Sequence, residues 1–259
     1  QSGAYLFIKG WHLTLRKFDR DGNYLQTLFP PPAKAPLENY PGTGCIEYEP
    51  GKRAWHGLNI HESFAVNGMV FPLAVDYKST INCQVALAGK RLLFLNAGSS
   101  MDSNIAASAL YWINTDGTTE LKGMQGQPFA WGAHRCPRLA VSPDGKWAYM
   151  LCSDGGKYIF DPVVVRAPAD GSAKAAPFVG ERGKVGSDHA HLNAPMGLDC
   201  DAEGRLYVSD LSNNRVQIFS PEGKHLKTIP VDRPHLLRVH QKGGAIYVQH
   251  SARIEGQTI

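Results

Sequence analysis

"NAPMGLDCDAEGRLYVSDLSNNRVQIFSPEGKHLKTIPV", residues 193–231, divides into four short apolar runs separated by turn residues. "PMGLDC" passes through "DAEG" into "RLYVSD", "LSNN" joins that run to "RVQIFS", and "PEG" leads into "KHLKTIPV". The runs are rich in Val, Ile, Leu, Phe and Tyr and bounded by Gly, Asp, Asn or Pro, which reads as an antiparallel four-stranded meander. A lone meander leaves two edges and two faces uncovered, so its sequence is expected to recur.

It does recur. "CPRLAVSPDGKWAYML" (136–151) repeats the first half, as do "RPHLLRVHQKGGAIYVQH" (233–250) and, with a shorter turn, "QVALAGKRLLFLNAG" (84–98). The second half returns in "LRKFDRDGNYLQTLF" (15–29), "LYWINTDGTTELKG" (110–123) and, more loosely, "VVVRAPADGSAKAAPF" (163–178). A four-stranded unit repeated at roughly 40 residues, stretched by long connections, indicates an all-β chain built as a β-propeller. A β-sandwich of unrelated hairpins is the alternative, but it has no need of matched halves in a constant order.

The spacing P-x-G-L-x-x-D-x-x-G-x-L-Y-V-x-D-x-x-N-N-R-V-Q-x-F-x-x-x-G resembles the NHL repeat, the blade of NHL-type propellers. Residues 192–231 carry it strongly, the copies beginning near 81, 134 and 234 carry it weakly, and residues 30–80 hardly at all. The resemblance implies four-stranded blades around a channel, and the count expected here is four to six, with five the best match. Complete blades are expected at 81–125, 134–180 and 192–231, all within one domain spanning 1–259. Residues 37–80 are either a divergent blade or an insertion over one face. The chain starts and stops inside a blade, so either the terminal strands share one and seal the ring, or both ends are cuts in a longer propeller.

Composition narrows the class. With 43% hydrophobic and 19% charged residues, 27 Gly and 17 Pro, the chain reads as globular and turn-rich. The net charge of +4 is mild and the cations are scattered, so no nucleic-acid partner is expected. No apolar stretch approaches a membrane span. The chain opens at Gln1 with neither Met nor signal peptide, as a processed, exported protein would. Five cysteines leave at least one unpaired within the chain, and none has CxxC spacing.

In such a ring the first strand of each blade lines the channel, and the loops leading into those strands surround one mouth. His134, His189, His191 and His235 fall just before or at the start of three successive first strands. Neutral imidazoles from separate rigid elements are how a divalent metal such as zinc is held with an open position. Peptide-amidating lyases are NHL-like propellers with a histidine-held zinc; their motif is not matched here residue by residue, so no catalytic residue follows. Trp131, Arg135, Arg138 and Arg233 share the rim and suit an anionic or sugar-like ligand, since guanidinium forks grip carboxylates and indoles stack on pyranoses. The acidic–Gly pairs (Asp21, Asp116, Asp144, Asp170 and Glu203 with the glycines after them) read as hairpin turns rather than calcium loops. If "PDG" (143–145) is a three-residue hairpin loop, Ser142 faces Lys146 and Cys136 faces Cys152, which permits a cross-strand disulfide.

Two functions are therefore expected as alternatives. One is a non-catalytic binding or scaffold propeller that presents its channel mouth to a small molecule, glycan or protein. The other is a metal-dependent lyase or hydrolase with histidine ligands at that mouth. Fold alone does not choose, and oligomeric state is not legible.

Overall fold

The computed structural model describes residues 4–8, 14–29, 45–55, 57–58, 63–66, 69–72, 84–96, 109–116, 127–128, 138–153 and 160–251. In chain order, β1 (Ala4–Ile8), β2 (Thr14–Phe18) and β3 (Tyr24–Phe29) make an antiparallel sheet. A hairpin of β4 (Cys45–Glu49) and β5 (Lys52–Trp55) follows, then a small sheet of β6 (Gly57–Leu58), β7 (Ser63–Val66) and β8 (Met69–Pro72). Three four-stranded meanders come next. They are β9 (Gln84–Ala88), β10 (Arg91–Asn96), β11 (Ala109–Asn114) and β12 (Gln127–Pro128); β13 (Arg138–Val141), β14 (Trp147–Ser153), β15 (Phe160–Pro168) and β16 (Ala176–Gly180); and β17 (Pro195–Cys200), β18 (Leu206–Asp210), β19 (Arg215–Phe219) and β20 (His225–Pro230). A final hairpin joins β21 (Pro234–Val239) to β22 (Ile246–His250). Among the described residues no helix is long and apolar enough to cross a membrane.

The three expected blades coincide with the three meanders. The segment between the N-terminal sheet and the first of them forms two small sheets rather than one four-stranded sheet. Nor do the terminal strands share a blade among the described residues. β1, β2 and β3 pair with one another and β21 pairs with β22, as two separate sheets.

Apolar residues cover both faces of the second and third meanders, because each is sandwiched between its neighbours. Leu139, Ala148, Met150, Val163 and Val165 pack with Ala88 and Leu93 of the preceding sheet. The alternate residues Ala140, Tyr149, Leu151 and Val164 pack with Leu198, Leu206, Val208 and Phe219 of the next. On the far side of that sheet, Tyr207, Val216 and Ile218 meet Leu237 and Val239 of β21. Adjacent residues on a strand point to opposite faces, so one strand feeds two cores. This is why β18 and β19 are buried at every position and lack polar alternation. The first strands adjoin in order, β9 to β13 to β17 to β21, as strands around a common axis must.

Three of the turns share one chemical plan. Asp201 Oδ1 accepts the N–H groups of Glu203 and Arg205, and Gly204 turns the chain at φ +80°. Ser220 Oγ does the same for Glu222 and Lys224, with Gly223 at φ +89°. Asp19 does so for Asp21 and Asn23. These are Asx- and ST-turns, in which a side chain satisfies main-chain donors that the reversal leaves unpaired. The capping group is the residue two before the acidic one, a position the sequence reading had not singled out.

The turn at 142–147 is one residue longer than expected. Asp144 Oδ1 takes the Lys146 N–H at 3.0 Å, so strand pairing resumes only at Trp147, which donates to Ser142 Oγ at 2.9 Å and receives the Ser142 N–H at its carbonyl. Val141 then pairs with Ala148 and Arg138 with Leu151. The register from which Cys136 was set opposite Cys152 does not hold over this part of the hairpin. Cys136 and the Cys152 side chain lie outside the described residues.

Cys200 is a free thiol, 3% exposed in the core between the second and third meanders. Burial, with Asp199 and Asp201 nearby, pushes its pKa far above the ordinary thiol range. The thiolate is the form that alkylates, so the Cys200 peptide should stay unmodified when native protein is treated with iodoacetamide. It should label fully in urea, as peptide mass spectrometry would show; labelling in native buffer would contradict this burial.

Candidate functional site: the channel mouth

In a meander successive connections alternate between the two ends of the sheet. The acidic–Gly turns gather at one end, and the connections 181–194, 211–214 and 231–233 at the other. The candidate rim lies at this second end.

His235, the second residue of β21, is half-buried, and its Nε2 lies 2.6 Å from Ser251 Oγ. Arg138 opens β13 and donates Nε–H to the Met196 carbonyl of β17 at 3.0 Å. Beside Met196, a Cβ on Gly197 would stand 2.4 Å from the His235 carbonyl oxygen. The absent side chain is therefore what lets β21 approach β17. Arg233 has a left-handed backbone, φ +39°, held by its N–H to Asn214 Oδ1 at 3.1 Å, and its side chain is exposed. Burial, then Arg233, then Arg138 lower the pKa of His235 below the usual imidazole value. Arg138 and Arg233 thus lie within electrostatic reach of His235.

The other described candidates, His189 and His191, are engaged elsewhere. His189 is exposed and stacks on His225, ring centroids 3.9 Å apart and planes 12° apart. His225 Nε2 lies 2.9 Å from Thr228 Oγ1, and its pKa is lowered by burial, then by His189 and Arg215. His191 Nδ1 lies 2.7 Å from Asp188 Oδ1, with Nε2 3.9 Å from Glu181 Oε2. Among the described residues no three His, Cys, Asp or Glu side chains gather to hold a metal ion. Trp131, His134 and Arg135 lie outside the described residues.

Sequence reading overlooked the residues that shape the 186–193 loop. Asp210 is fully buried and Arg215 nearly so, with Arg215 Nε 2.8 Å from Asp210 Oδ2. The guanidinium also donates to the carbonyls of Ser187 (2.6 Å), Asp188 (2.7 Å) and His191 (3.0 Å). Asp210 Oδ1 accepts the Asn193 N–H, and Asn213 Nδ2 bridges Asp210 Oδ2 to the Gly186 carbonyl. Gln217 Nε2 reaches the His191 carbonyl at 3.3 Å. The D-x-x-N-N-R-V-Q letters of the repeat are thus an internal clamp on the loop that carries His189 and His191. The available signal was a charge at each end of two otherwise apolar strands.

Stacked meanders, cores shared between successive sheets and adjoining first strands define a β-propeller architecture, and residues 192–231, with this clamp, form a blade of the NHL type. Protein lin-41 of Caenorhabditis elegans is 48% identical over 44 residues, which are 17% of this chain and 4% of that protein. No protein-family model matches the chain. Among solved structures, a gluconolactonase from Xanthomonas campestris is 17% identical, with 92% of this chain and 78% of that one covered and a TM-score of 0.46. A chain of a nidogen–laminin complex is 15% identical, with 96% and 86% covered and a TM-score of 0.45. Hydrazine synthase from Kuenenia stuttgartiensis is 12% identical, with 97% and 69% covered and a TM-score of 0.48. At such values these structures say nothing about a shared substrate.

Proposed function

We propose that the chain is a non-catalytic binding propeller whose channel mouth takes a ligand through an anionic group. The observation that carries this reading is the placement of Arg138, at the start of β13, and Arg233, in the connection between β20 and β21, within electrostatic reach of the half-buried His235. Guanidinium groups at a partly desolvated rim favour carboxylate or phosphate, and Arg is suited to bidentate contact with either.

The pH dependence follows from His235. Its folded pKa is lowered, so as pH falls through about 6.5 the unfolded chain takes up the proton first and stability is lost. A bound anion opposes the two arginines and makes the imidazolium easier to form. Ligand-induced stabilisation should therefore grow from about pH 7.5 to about 5.5. The measurement is the melting temperature with citrate, succinate and uncharged glucose in turn. At least one anion should raise it by several degrees, glucose should not, and Arg233→Ala should abolish the rise while leaving the unliganded melting temperature unchanged. An equal response to glucose, or none to any anion, would remove the reading. Stoichiometric metal in the purified protein, lost in His134→Ala, His191→Ala and His235→Ala, would replace it with the lyase or hydrolase alternative.

A further inference from the structure

We propose that a second small-molecule site lies at the opposite end of the sheets, beside the junction of the N-terminal sheet with the β9–β12 sheet. Its ligand is a small anionic polyol, a phosphorylated sugar or a sugar acid.

The junction holds a cavity of about 400 Å³ lined by Ala88, Lys90, Arg91, Asn114, Thr115 and Asp116. That is the β9–β10 turn facing the end of β11, and the volume falls within the range of small-ligand pockets. Its walls are fixed by main-chain contacts. The Thr115 N–H donates to the Lys90 carbonyl at 2.7 Å. From the N-terminal sheet, the Lys17 ammonium donates to the Thr115 carbonyl at 3.0 Å, and the Gln26 amide donates to the Asp116 carbonyl at 2.5 Å. From the other side, the 142–147 turn presses close, since a Cβ on Gly145 would stand 3.0 Å from the Gly89 nitrogen.

The lining dictates the ligand class. Lys90, Arg91 and the neighbouring Lys17 bring three cations to the cavity and its edge, against the carboxylates of Asp116 in the lining and Asp170 beside Arg91. Asn114 and Thr115 offer an amide and a hydroxyl, and Ala88 is the apolar member. Cations select a phosphate or carboxylate, while Asp116, Asn114 and Thr115 are matched by hydroxyl groups. A lipid or aromatic ligand would find little to bury against. Arg91 also lies within electrostatic reach of Asp170 on the next sheet, so the exposed Lys90 is the cleaner residue to change.

Calorimetry and saturation-transfer NMR on the full chain, with glucose 6-phosphate, glucuronate, glucose and inorganic phosphate, test this site. Glucose 6-phosphate or glucuronate should bind at least about tenfold more tightly than glucose and phosphate, and whichever is tighter names the anion. Lys90→Glu should weaken that binding at least about tenfold with no change in melting temperature. Lys90→Ala should weaken it less, and Arg233→Ala at the channel mouth should leave it intact. Equal binding of glucose or of phosphate alone, indifference to Lys90→Glu, or loss in Arg233→Ala would overturn the proposal. The last result would assign the binding to the mouth instead.

Discussion

Arg215→Ala should lower the unfolding free energy by about 3–5 kcal/mol, the usual effect of removing one partner from a buried ion pair. The Arg215 and Asp210 side chains are 9% and 0% exposed. Removing the guanidinium strands the Asp210 carboxylate in the sheet and releases the carbonyls of Ser187, Asp188 and His191 together. Arg215→Lys should recover only part of the loss, because one ammonium cannot span the carboxylate and three carbonyls at once. Urea denaturation followed by fluorescence gives the midpoint and slope. A change below about 1 kcal/mol for Arg215→Ala would show that the clamp is not what holds the 186–193 loop.

Gly197→Ala should destabilise by about 1–3 kcal/mol, the range for overpacking. It should also weaken any anion response at the channel mouth. The new methyl would meet backbone, the His235 carbonyl at 2.4 Å and the Leu236 Cα at 3.1 Å, so no side chain can rotate out of its way. β21 has to move away from β17, carrying His235 from Arg138. The two effects separate in one experiment, since melting temperature reports the first and its shift with ligand, compared at matched pH, reports the second. A variant as stable as the parent would mean that the two first strands have slack here.

Much of this was legible before any coordinates. The strand–turn–strand alternation of 193–231 and its echoes at 84–98, 136–151 and 233–250 located the three meanders and the final hairpin, because apolar runs and turn residues are local properties. The nearness of Arg138 and Arg233 to His235 has a related origin: residues leading into successive first strands return to the same end of the sheets. Register was not legible at 142–147. There Asp144 captures the Lys146 N–H and lengthens the turn by one residue, a choice made by a single side-chain hydrogen bond. His189, read as a rim residue, has its ring stacked on His225, a partner set by how the 186–193 loop folds back rather than by spacing.

The sequence by itself determined that this protein is all-β, that three stretches of it form four-stranded meanders, and that those meanders recur with their turns at one end. Each follows from periodicity and turn chemistry within a few tens of residues. Only the tertiary structure decided which charges are internal and which are exposed. Asp210 and Arg215 look like surface residues in a list of letters, yet they are buried together, because a charge far from water is stable only beside its counter-charge and hydrogen-bond partners. The closeness of β21 to β17, which a missing side chain at Gly197 makes possible, is likewise a matter of two backbones meeting in space.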